Sequence, residues 1–184
     1  KKISKKTKVI MLVHVLGNST EVEIIRKIAK KKKIILIEDT CESLGAKYKK
    51  KYLGTFGDFG TYSFYYSHQM TSGEGGMIVC NSRKDYELIY SMRSHGWSRR
   101  LKIKDTSFSF INSGFNLRPL EISASIGLSQ FKRLNSMINS RIKNREKIIK
   151  KLTNSVLWKN QFSFLKITQN VKPSYFGLPI LINK

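Results

Sequence analysis

His68 stands in YSFYYSHQMTSGEGG, Tyr62 to Gly76, where an aromatic run gives way to a glycine-rich turn. It is one of three histidines in the chain. An imidazole there is either a packed ring or an acid–base group, because histidine titrates near neutral pH. Metal ligation has no supporting pattern: neither Cys41 nor Cys80 lies at ligand spacing, and no second histidine is close in sequence. Ser63, Ser67, Thr71 and Ser72 surround His68. Hydroxyls and free N–H groups beside a turn are natural phosphate ligands, although serine and glycine also simply build turns. The second candidate group is Glu38 and Asp39, at the end of IILIED. Either one of them caps the segment that follows, or a carboxylate is held there for a cationic ring nitrogen.

These groups need elements to position them. KVIMLVHVLG is a continuous apolar run, and STEVEIIRKIAKK follows it. Ser19 or Thr20 is placed to cap a helix whose apolar stripe is Val22, Ile24, Ile25 and Ile28. IILIED is then a short buried strand, which completes a βαβ pattern and an α/β class. In such sheets ligands bind beyond the carboxyl ends of the strands, where Glu38 and Asp39 fall. TCESLGAKY is predicted as a short helix ended by Gly45. KKYLGTFGDFG is a turn-rich loop, and TYSFYY and GMIVCN are two further strands. SRKDYELIYSMRSHG is predicted as a helix from a Ser82 cap to Gly96, before the irregular WSRRLKIKDTSFSFINSGFN. A helix begins at Pro119, and a longer basic one covers about 136–152. The closing YFGLPILINK has the composition of a strand with nothing after it to pair with.

The chain has 184 residues, enough for one core, with 40% hydrophobic and 26% charged residues, as globular proteins have. Its 35 basic against 12 acidic residues give a net charge of +23. That excess suits either an anionic partner or a solvated lysine-rich surface. No zinc-finger spacing, RNA-recognition motif or basic zipper accompanies it, so nucleic acid is not the expected partner. Two cysteines are too few for a disulfide framework. No run of apolar residues is long enough for a membrane span. The basic, apolar opening lacks an initiator methionine and a cleavage site, and His14 interrupts it. A soluble, cytoplasmic protein is expected. The missing methionine and the unpartnered last strand together suggest a fragment.

In order, VHVLGN, IEDTCESLGAKYKKKYLGTFGDFGTYSFYYSHQMTSGEGGMIV, RSHGW and SGFNLRPLEISASIGLSQFKRL resemble the blocks of the sugar aminotransferase family of pyridoxal-phosphate enzymes. The resemblance runs from about Lys8 to Leu152. It implies an aspartate-aminotransferase-like, three-layer fold with a mostly parallel central sheet, lacking its N-terminal part and most of its C-terminal domain. Residues 1–115 would belong to the large cofactor-binding domain, 116–152 to a helical segment, and 153–184 to the start of the small C-terminal domain.

By the same resemblance, Asp39 pairs with the pyridine nitrogen, Ser63 binds the cofactor phosphate, and Asn116 reaches the phosphate of a neighbouring subunit. A homodimer with shared sites follows. Asn116 otherwise serves as a helix cap before Pro119. His68 departs from the family pattern, which has lysine there for a covalent imine with pyridoxal phosphate; imidazole forms no such link. Histidine at this position resembles the nucleotide-sugar 3-dehydratase branch, which works with pyridoxamine phosphate. Glu42, where aminotransferases usually carry glutamine, points the same way. One kind of dehydratase holds an iron–sulfur cluster on cysteines after the RSHGW block, but no cysteine follows Cys80 here. The resemblance thus implies cluster-free 3-dehydration of a nucleotide-linked 4-keto-6-deoxyhexose in deoxysugar or lipopolysaccharide-type biosynthesis, with glutamate as amino donor and His68 as acid–base catalyst. The alternatives are a nucleotide-sugar aminotransferase and a non-catalytic binding protein. Arg99 and Arg100 either meet the substrate's diphosphate or sit in a solvated loop.

Overall fold

A computed structural model describes residues 2–99, 101, 108–156, 158 and 161–183. β1 (Val9–Val13) and β2 (Ile35–Asp39) run parallel, joined by the crossover helix α1 (Val22–Lys32). A hairpin of β3 (Lys47–Tyr48) and β4 (Lys51–Tyr52) leads into β5 (Phe59–Ser63), which is parallel to β2. β6 (Gly76–Cys80) closes the sheet antiparallel to β5, giving the order β1-β2-β5-β6. Then come α2 (Arg83–Met92), α3 (Glu121–Phe131) and α4 (Leu134–Thr153). β7 (Phe162–Phe164), β8 (Val171–Lys172) and β9 (Ile180–Ile182) follow.

Register divides the sheet into two unlike faces, because side chains alternate along a strand. Leu12, Leu36, Glu38, Gly60 and Tyr62 face α1. Leu12 and Leu36 form the core there with Val22, Ala29, Ala46, Tyr48, Leu53 and Phe56. The opposite face carries Val9, Met11, Val13, Ile35 and Ile78, all exposed, with Asp39, Thr61 and Ser63 at its carboxyl end. α2 contacts the β6 edge, and a largely apolar groove lies between them, lined by Thr61, Ile78, Ile89, Tyr90 and Phe115.

Several local expectations need correction. α1 takes Glu21, not Ser19 or Thr20, as its N-cap; the Ser19 hydroxyl is spent on the Thr20 carbonyl. Its buried stripe is Val22 and Ala29, while Ile24 and Ile28 are exposed. Residues 40–46 form successive turns, not a helix, because Ser43 and Ala46 donate N–H bonds three residues back. The Ser43 hydroxyl also ties that segment to the His14 carbonyl at 2.6 Å. β5 stops at Ser63, because Phe64 turns inward to exchange bonds with Gly75 and Ser72. Ser82 does cap α2, accepting the Asp85 N–H at 3.0 Å. That helix ends at Met92, since Ser94 leaves to bridge Asn116. α3 starts at Glu121 with Leu120 as its N-cap, so neither Pro119 nor Asn116 initiates it. The last strand has a partner after all: β9 pairs antiparallel with β7, which precedes it. β8 pairs with β3.

Candidate active site

The carboxyl ends of β1, β2 and β5 lie side by side. Asp39 ends β2 opposite Thr61, and the Thr61 hydroxyl donates to Asp39 Oδ1 at 3.3 Å. The Cys41 N–H donates to the same oxygen at 3.1 Å. Burial pushes the Asp39 carboxyl up, but bonds from Cys41 and Thr61 outweigh it and hold the group below its ordinary value. Asp39 is therefore an anion at neutral pH. Cys41 shows the converse: burial and the Asp39 carboxylate push its thiol up to about 11, so it is no thiolate nucleophile.

Glu38 points to the other face and has a different task. It is fully buried and accepts N–H bonds from Gly54 at 2.9 Å and from Phe56 and Gly57 at 2.6 Å. His14 Nε2 lies 2.9 Å from its Oε2. Burial works against the charged form, but these partners prevail and lower the Glu38 pKa. Glu38 thus fixes the 54–57 turn to the underside of the site and leaves Asp39 as the carboxylate on the open side.

Ser63 follows Thr61 by two residues and so shares the Asp39 face; its hydroxyl accepts the Tyr65 N–H at 3.2 Å. Glu42 is half-buried, and its Oε2 accepts the Leu16 N–H at 2.7 Å. That bond holds the tight turn after β1, where Leu16 takes φ 56° and Gly17 φ 81°. His68 is half-buried in the loop after Ser63. Its ring meets Phe176 edge-on at 5.1 Å between centroids and Tyr65 at 5.9 Å. Its Nδ1 is buried without a hydrogen-bond partner among the described residues. A polar cavity of about 390 Å³ reaches His68 from the α4 side, past Gln69, Thr71 and Arg141.

The candidates are not all gathered together. Asp39, Thr61 and Ser63 cluster on one sheet face, and His68 follows from the end of β5. Asn116 stands apart: its backbone bridges Ser94, and its side chain is exposed between exposed Phe115 and Leu117. Arg99 is exposed, with its guanidinium 4.9 Å from the centre of the Trp97 ring. Arg100 lies outside the described residues. Sequence reasoning missed His14, Gln69, Ser174 and Phe176. His14 lies within the VHVLGN block, where its type was the available signal. Phe176 comes from the far end of the chain and leaves no local pattern. Among the described residues no group of three or more His, Cys, Asp or Glu is arranged to hold a metal. None of the described helices is long and apolar enough to cross a membrane.

The sequence matches the DegT/DnrJ/EryC1/StrS aminotransferase family over residues 1–184. It is 37% identical to GDP-4-keto-6-deoxy-D-mannose 3-dehydratase of Escherichia coli O55:H7, over 99% of this chain and 48% of that protein. It is 38% identical to GDP-perosamine synthase of Escherichia coli O157:H7, over 85% of this chain and 41% of that one. The fold superposes on E. coli GDP-4-keto-6-deoxy-D-mannose-3-dehydratase with bound hydrated PLP with a TM-score of 0.88 and 37% identity, covering 100% of this chain and 49% of the other. A GDP-4-keto-6-deoxymannose-3-dehydratase with a trapped PLP-glutamate geminal diamine gives 0.87 and 35%, again over 100% and 49%. The chain spans about half the length of the curated relatives it matches. It belongs to the DegT/DnrJ/EryC1/StrS aminotransferase family and has that family's α/β fold with a mostly parallel sheet.

Proposed function

We propose that this chain forms part of a cytoplasmic, cluster-free 3-dehydratase that uses pyridoxal or pyridoxamine phosphate on a nucleotide-linked 4-keto-6-deoxyhexose. One observation carries the reading: the loop from Ser63 to Gly76 holds His68 and no lysine, while Asp39 and Ser63 remain at the sheet's carboxyl end. Two matched 3-dehydratases, 37% and 36% identical, act on a GDP-linked sugar by name, and a third, 30% identical, on a dTDP-linked one, so a GDP-linked keto-sugar is the substrate to try first.

The donor set fits the cofactor. Asp39 is an anion braced from two sides. Ser63 offers a hydroxyl on the same face, and no amine in this loop competes for the aldehyde. When bound, the cofactor supplies a cationic ring that draws electrons from the adjoining carbon. Asp39 holds the proton on the ring nitrogen, because a fixed carboxylate favours the charged form. Ser63 binds the phosphate, and an exposed Asn116 reaches the phosphate of a second copy. Glu42 supports the pocket wall by bracing the Leu16 turn. His68 takes a proton on its imidazole and returns it to the departing C3 hydroxyl, which leaves as water. Glutamate is the amino donor that restores the amine form, and a homodimer completes both sites. Arg99 and Arg100 remain candidates for the diphosphate.

Amino transfer is the second reading, favoured by the GDP-perosamine synthase likeness. Covalent chemistry separates the two. Pyridoxal phosphate mixed with the full chain is expected to keep a free-aldehyde spectrum, and borohydride is expected to trap no protein adduct. A reduced cofactor–lysine bond in the mass spectrum would overturn the dehydratase assignment. A pocket blind to both cofactor forms would favour a non-catalytic binding protein.

A further inference from the structure

The C-terminal segment 174–176 is built into the wall of the His68 site by contacts from three separate parts of the chain. Its backbone lies on the turn after β1: Ser174 N–H donates to the Gly17 carbonyl and Phe176 N–H to the Leu16 carbonyl, each at 3.2 Å. The approach is close enough that a Cβ on Gly17 would lie 2.3 Å from the Tyr175 nitrogen. From the His68 loop, Gln69 Nε2 reaches Ser174 Oγ at 3.3 Å and the Glu42 carbonyl at 2.5 Å. From α4, Arg141 Nη1 donates to the Phe176 carbonyl at 3.1 Å and Tyr175's at 3.4 Å, while Arg145 lies 4.4 Å from the Tyr175 ring centre. Tyr175 itself takes φ 35°, a left-handed conformation that a tyrosine keeps only where its surroundings impose it.

All of this fixes one ring. Phe176 meets the His68 imidazole at 5.1 Å with planes 83° apart, and Tyr65 meets it at 80° from another direction. No hydrogen bond among the described residues holds Nδ1, so the two aromatic edges are what define the ring plane. We propose that Phe176, clamped by Arg141, is a positioning residue that sets the orientation of the His68 imidazole. The inference deepens the dehydratase reading and rests on it for its kinetic consequence, but the contact itself is measured without cofactor or substrate. Proton transfer depends steeply on alignment, and misplacing a catalytic group by about 1 Å can cost about 100-fold.

The test uses the full chain with histidine-selective isotopic labels, His68 being assigned by comparison with His68→Asn. In Phe176→Leu and Phe176→Ala, the His68 ring protons are expected to lose their ring-current displacement while those of His14 and His95 stay in place. Phe176→Tyr is expected to retain it, and Arg141→Met to lose part of it. In turnover, kcat of Phe176→Leu is expected to fall at least tenfold with KM changed less than about twofold. Unmoved His68 resonances in a folded Phe176→Leu protein would overturn the proposal, as would an unchanged kcat. If the wild-type chain shows the ring-current displacement but no dehydration with added substrate, the functional reading fails and the positioning contact stands. If Phe176→Ala does not fold, the leucine and Arg141 variants carry the test.

Discussion

Replacing His68 with asparagine leaves a polar side chain of similar reach but removes proton exchange. Turnover is expected to fall by about 10²–10⁴-fold, while cofactor affinity, assigned in the proposal to Asp39 and Ser63, is expected to change less than tenfold; rate assays beside a spectroscopic cofactor titration check both. Glu38 makes a separate claim about stability. Its folded pKa lies below its ordinary value of 4.5, so the stability it adds is complete above that pH. It is lost as pH falls through the lower, folded value. Glu38→Gln is therefore expected to be less stable at pH 7 and to show a shallower decline below pH 4.5 in acid unfolding followed by circular dichroism. Glu38→Ala, which strands three backbone N–H groups and His14, is expected to cost roughly 3–5 kcal/mol. A wild-type-like acid transition in Glu38→Gln would contradict this role.

At the scale of elements, the tightest constraint is the seat of the 174–176 segment on the β1 turn. Gly17 sits at φ 81° with the Tyr175 backbone against it. Gly17→Ala is expected to destabilise the chain by about 1–3 kcal/mol, read from denaturant unfolding, and to perturb Phe176 with it. β1, β2, β5, β6 and α1 were legible in the sequence because apolar runs bounded by turn residues mark them, whereas β3 and β4 fell within a segment read as helix and loop. Asp39, Ser63 and His68 stood out as candidates through their order in a family-like series of motifs. Residues 40–46 were misread because Ser43 and Gly45 suit turns and helix ends equally, and the tie from Ser43 to His14 decides between them. The clamp on Phe176 was illegible because every contact in it joins segments distant in sequence. Glu38 and Asp39 were adjacent candidates with the same chemistry, and the strand's alternation separates them into opposite faces.

On the scale of the whole molecule, one sheet face and much of the 108–131 segment are apolar and exposed, including Met11, Phe115, Ile122, Leu128 and Phe131. Patches of that kind mark surfaces built for further protein, and the proposed homodimer places a second copy against Asn116 within it. Leu128→Asp is expected to shift sedimentation toward monomer by at least a tenfold weaker association, and an unchanged profile would remove α3 from the contact. The charge of +23 with only 12 acidic residues also bears on this scale. Self-association is expected to tighten with added salt as repulsion is screened. The central claim concerns chemistry, and product analysis tests it most directly. The full chain is incubated with pyridoxal phosphate, glutamate and a GDP-linked 4-keto-6-deoxy sugar, and the sugar is identified by mass spectrometry while ammonia is measured. A 3-deoxy-4-keto sugar with equimolar ammonia is the expected result; a 4-amino sugar without ammonia would contradict it.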